Sequence, residues 1–148
     1  MSTALPGTDR IPVEFLELPG APGVFYLVLR FREGWQAGHF RIAAGVCWAT
    51  IQERVPPGQQ CYSIFLLERG SRLHQAGLVG EVMRAIRHPV FPRIAMTYVV
   101  GLDAYAATIA VQIVRVAAWM AATPAPYTVC ASLDAALAAM RQHANGAR

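Results

Sequence analysis

The sequence predicts a single α/β domain: a mixed five-stranded sheet in the order β-β-α-β-α-β-α-β-α, with an N-terminal hairpin and four main helices. Three observations predict it. The hydrophobic period changes from two residues at the start of the chain to 3.6 beyond it. Pro/Gly-rich clusters punctuate the segments. The later strands alternate with helical stretches, which implies right-handed crossovers and a mostly parallel sheet.

Residues 13–18, VEFLEL, alternate as a half-buried strand does, and residues 24–31 are β-branched and aromatic. Between them PGAPG, residues 19–23, supplies the turn of a hairpin with a five-residue connection. The first helix places Phe40, Ala44, Cys47, Trp48, Ile51 and Val55 on one face and ends at Pro56-Pro57-Gly58. Residues 62–67 suit a buried strand. Val79, Val82, Met83 and Ile86 stripe the second helix, opposite Glu81, Arg84 and His88. Pro89 and Pro92 frame a turn before a strand over 93–100. Asp103 is expected to cap a third helix that runs to about Ala122. Thr123-Pro124-Ala125-Pro126 stops it. A last strand follows over 127–131, and Ser132 then caps a final helix striped by Leu133, Leu137 and Met140, which ends at Asn145-Gly146. One domain spans 1–148, with loose ends expected at 1–11 and 145–148.

Composition narrows the function. Hydrophobic residues make up 55% of the 148 and charged residues 15%, against about 25% charged in an average chain. Such a surface is expected to meet a partner chain or an apolar ligand. The net charge of +4 comes from arginine alone, since the chain has no lysine. That removes the P-loop, the Schiff-base nucleophile and the kinase-type phosphate lysine. The arginines are scattered from Arg10 to Arg148, so no nucleic-acid face is expected. Residues 104–122 are apolar enough to prompt a membrane check. Gln112 and Arg115 near the centre argue against a span, because a central arginine costs about 2.5–3.5 kcal/mol on insertion.

Catalytic patterns are thin. Cys47, Cys61 and Cys130 form no C-x-x-C and read as small buried hydrophobes with reduced thiols, which points to the cytoplasm. His39, His74, His88 and His143 lack metal-ligand spacing. Asp103 and Asp134 are explained by their places at helix starts. Neither an enzyme, a metal nor a cofactor is expected.

Two clusters remain. Ser71 follows the strand ending at Leu67, between Arg69 and Arg72. It reads as the N-cap of the second helix, or as an anion or phosphate site at a helix N-terminus. On the third helix, Tyr105, Thr108, Gln112, Arg115 and Trp119 recur at spacings of 3, 4, 3 and 4, forming one narrow stripe in an otherwise apolar segment. Either this helix is buried all round, or its outer side packs on another subunit. Tyr105, Gln112, Arg115 and Trp119 are the expected interface residues.

The element order, the stretch RIAMTYVVGLDAYAATIAVQIVRVAAW and the ending YTVCASLDAALAAM resemble the STAS family, the bacterial anti-sigma-factor antagonists and their relatives. The chain is especially similar to a divergent STAS/SEC14-like branch of uncharacterised bacterial proteins. The resemblance covers roughly residues 13–140. It implies a non-catalytic binding or regulatory module that acts by protein contact or as a homodimer. It also implies an alternative, a small apolar ligand or lipid held between helices and sheet. In the family's phosphorylatable D-S-x-G-like stretch the matching residues here are LERGSR, with Ser71 at the serine position and Glu68 near the acidic one. The glycine here precedes the serine, and two arginines flank it.

Overall fold

The computed structural model describes residues 5, 8–73, 75–101 and 104–146. It is α/β, with a five-stranded mixed sheet and four main helices, as the periodicity predicts. The elements are β1 Val13–Glu17, β2 Phe25–Phe31, α1 Ala37–Arg54, β3 Cys61–Leu67, α2 Leu78–Ile86, β4 Ile94–Gly101, α3 Ala104–Ala121, β5 Tyr127–Cys130 and α4 Leu133–Gly146. The strands lie side by side in chain order. β1 is antiparallel to β2, and every later pair is parallel.

The hairpin forms as its residues require. A Leu18 N–H···O=C Val24 bond of 2.8 Å extends the ladder and leaves 19–23 as the turn. Gly20 and Gly23 there have φ of 78° and 81°, a region open to glycine at little cost. The N-terminal stretch expected to be loose is partly tied down. Thr8 and Ile11 are buried, and the Leu5 N–H donates to the Val13 carbonyl.

Because the strand order never reverses, all three crossovers step in the same direction. Connections of one hand then place their helices on one face. Accordingly α1, α2 and α3 share a core with Leu27, Leu29, Phe31, Leu67 and Val99, while α4 packs on the opposite face with Tyr26, Val28, Tyr62, Ile64, Tyr98 and Val100. These side chains alternate along each strand, as the pleat demands. Ser132 caps α4 as expected, its Oγ accepting the Ala135 N–H at 3.1 Å. The Asp103 cap lies outside the described residues. Among the described residues no helix is long and apolar enough to cross a membrane.

Candidate functional site

Ser71 does not cap α2. That helix begins at Leu78, with Gly77 as its N-cap at φ 82°, and the loop over 68–77 is held by other bonds. Ser71 Oγ accepts the indole N–H of Trp35 at 2.8 Å and donates to the Phe31 carbonyl at 3.0 Å. The backbone N–H of Glu68 donates to the same carbonyl at 3.1 Å. Gln75 Nε2 donates to the carbonyls of Trp35 and Arg72 at 2.9 and 2.6 Å. The hydroxyl therefore staples the end of β3 to the loop between β2 and α1. The cap is absent because α2 begins only at Leu78, seven residues beyond Ser71.

The three residues of the expected anion site are only partly brought together. An open cleft of about 750 Å³ lies beyond the C-terminal ends of β2 and β3, lined by Glu33, Gly34, Trp35, Gln36, Ala37, Gly38, Gly70, Arg72, Gln75 and Ala76. Arg72 stands on its wall; Arg69 and Ser71 do not. The helix end facing the cleft is that of α1, so one element of anion chemistry is present, though from a different helix than expected. Opposing it, the Glu33 side chain lies against Gly70, within 3.3 Å of where a Cβ would sit. A carboxylate there repels an anion and offsets the arginine.

The outer face of α3 is a different kind of surface. Its inner side carries Ala106, Ala110 and Ala117, all buried. Alanines let the helix lie close against α2 and the sheet, which stay well packed beneath it. Its outer side exposes Trp119 at 82%, Tyr105 at 69%, Met120 at 48% and Val116 at 47%. Gln112 and Arg115 are exposed between them. Gln112, Arg115, Val116 and Trp119 line a shallow groove of about 470 Å³. Of the two readings of this stripe, burial all round is overturned: α3 ends the helical layer, and Tyr105, Val116, Trp119 and Met120 are exposed on its outer side. Its stripe is legible in the sequence, since the spacing maps directly onto one face.

Between the sheet and the three-helix layer lies an apolar cavity of about 60 Å³, with Leu29, Phe40, Trp48, Phe65, Val82 and Phe91 in its walls. Its polar feature is a hydroxyl pair, Ser63 Oγ to Thr97 Oγ1 at 2.8 Å. A water needs only about 10–15 Å³, whereas a benzene-binding cavity is about 150 Å³ and drug-sized ligand pockets are about 300–1,000 Å³. The cavity as it stands is too small for a lipid.

The histidines have structural partners. His39 Nδ1 accepts the Gln36 N–H at 2.8 Å at the start of α1. His88 Nδ1 accepts the Val90 N–H at 3.1 Å, and its ring stacks on Trp48. His143 Nδ1 lies 2.8 Å from the Tyr62 hydroxyl. His74 lies outside the described residues. No three His, Cys, Asp or Glu groups are placed to hold a metal among the described residues. All three cysteines are free thiols. Burial, with Cys61 nearby, pushes the Cys47 thiol up to about 12; burial also pushes the Cys61 thiol up to about 11, against the pull of Arg93. A nucleophilic thiol needs the opposite shift.

One residue with a clear task escapes sequence reading. Arg93 reaches the C-terminal end of α1, where its Nη2 donates to the carbonyls of Val55, Pro56 and Gln59 at 3.1, 2.8 and 3.1 Å. A cation there neutralises orphan carbonyls and the negative end of the helix dipole. Its Nε is buried without an acceptor.

No protein-family model matches the chain, and neither a curated protein nor a solved structure matches it.

Proposed function

We propose that the protein is a non-catalytic, cytoplasmic binding module of STAS-like type that works by docking another protein on the outer face of α3. The observation that supports this most directly is Trp119, 82% exposed on a helix whose other outward residues include Tyr105, Val116 and Met120. Leaving a tryptophan and a tyrosine in water forgoes about 1.5–3 kcal/mol for each large side chain. Aromatic residues and arginine are also the types that dominate protein contacts. His39, His88, His143 and Ser71 have structural partners, and burial raises the three thiols, which supports a non-catalytic role.

The alternative reading, a small apolar ligand or lipid held between sheet and helices, draws on the cavity over Ser63 and Thr97. At about 60 Å³ it requires Trp48 and Phe91 to swing outward before such a molecule enters.

A benzophenone side chain placed at 119 tests the docking reading, with a second at Glu53 on the exposed side of α1 as control. Irradiation of expressing cells should give protein adducts from position 119 and none from 53. An absence of adducts at 119 would overturn docking on α3.

A further inference from the structure

We infer that the occupant of the α3 face is a second copy of this chain, with the two α3 helices packed antiparallel about a two-fold axis at Gln112. This rests on the docking reading above and specifies its partner.

Four outward residues of α3 pair off about Gln112. Thr108 and Val116 lie four positions to either side of it, and Tyr105 and Trp119 lie seven. In an antiparallel pair centred there, each Trp119 faces the Tyr105 of the other copy. Two aromatic pairs then close the two ends of the interface. At the centre Gln112 meets itself. An amide carries both a donor and an acceptor, so two related by a dyad can satisfy each other.

Charge selects the direction of packing. Residues 104–121 contain one ionised side chain, Arg115, and no Asp or Glu. A parallel pair would set Arg115 against its own copy at contact distance with no acid to separate them. In the antiparallel pair each Arg115 is three residues from the dyad. At 1.5 Å rise per residue the two are about 9 Å apart along the axis, beyond the screening length of about 8 Å at physiological salt. Each guanidinium is then about 6 Å along the axis from the level of the opposing Tyr105 ring, close enough for its long side chain to reach the ring face, where a cation is attracted. Antiparallel macrodipoles also oppose each other favourably.

The area is sufficient but modest. With about 150–250 Å² for each large aromatic, the exposed parts of Trp119 and Tyr105 offer roughly 300 Å² per copy. Val116, Met120 and the polar residues between them raise this to roughly 500 Å², or about 1,000 Å² for the pair, the lower bound of a specific interface. Area alone does not set the affinity, so the dimer is sought up to concentrations well above micromolar.

The test combines sedimentation with a cysteine at the dyad. Helix axes 8–10 Å apart place facing Cα atoms roughly 3.5–5.5 Å apart, overlapping the range a disulfide spans. In a Cys130→Ser background, whose remaining thiols are buried, Gln112→Cys should oxidise to a covalent species of twice the 16.1 kDa chain mass. Glu53→Cys should not. Wild type should sediment as a concentration-dependent dimer, and Trp119→Glu as a folded monomer. A wild-type dimer that Gln112→Cys fails to cross-link overturns the antiparallel pairing. Wild type that stays monomeric at 100-fold above micromolar overturns the second copy as occupant. Photo-adducts from position 119 then decide separately whether docking on α3 survives.

Discussion

Ser71→Ala is expected to destabilise the fold by more than the loss of a helix cap. The substitution leaves the Trp35 indole N–H, on a residue only 3% exposed, without its acceptor at 2.8 Å. Stranding a buried donor costs about 1–3 kcal/mol. The lost bond to the Phe31 carbonyl matters less, because the Glu68 N–H still donates to that oxygen; it adds about 0.5 kcal/mol. The total is about 1.5–3.5 kcal/mol, against about 1 kcal/mol for a lost cap. For a chain of this size that lowers Tm by roughly 5–11 °C. A double-mutant cycle with Trp35→Phe isolates the cause. Phenylalanine keeps the edge-on contact with Phe31 but carries no donor, so Ser71→Ala made on top of it should cost about 1–2 kcal/mol less than in wild type. Urea denaturation followed by circular dichroism supplies all four free energies. Strict additivity, or a Ser71→Ala midpoint equal to that of wild type, would refute the staple.

Two further outcomes follow from buried polar chemistry. Arg93→Met should cost about 2–4 kcal/mol, since three carbonyls beyond α1 lose a charged donor that the thioether cannot replace; an unchanged urea midpoint would show that water takes over those carbonyls. Stability should also fall with rising pH from about 9 to 12. The Cys47 and Cys61 thiols are held at about 12 and 11 in the folded chain and ionise near 9 when unfolded, so above pH 9 the unfolded state binds fewer protons. The stabilisation is complete below pH 9 and is lost as pH climbs through the folded values, by about 1.4 kcal/mol per pH unit for each such group. Burial holds the Tyr98 hydroxyl at about 12 as well, which acts in the same direction. Cys47→Ala should flatten this decline, and an unaltered pH profile in that variant would exclude the thiol as its source.

The fold was legible because its signals are local. A period of two over 13–18, PGAPG at 19–23 and Ser132 before an apolar helix each determine a structure within a few residues of themselves. The same holds for the α3 stripe, where spacing alone places Tyr105, Gln112, Arg115 and Trp119 together. What spacing could not tell is whether that face meets solvent or more of the chain. That depends on strand order: only because β5 is the sheet edge does α3 end the helical layer.

The misread features depend on contacts between distant positions. Ser71 precedes an apolar helical pattern, so a local reading makes it a cap. Its actual donor, Trp35, lies 36 residues earlier, and no local pattern announces the pairing. Arg93 stands at the mouth of a strand, where a cation is unremarkable. It finds the end of α1 because a parallel layout returns each crossover helix to the end of the sheet where the next strand begins. The carbonyls ending α1 and the residues opening β4 are therefore neighbours by topology. An arginine at the start of a parallel strand can close the helix that came before, a relation spanning 34 to 42 residues here. Local pattern assigns the elements; the polar side chains that lock them are chosen by which element ends the topology makes adjacent.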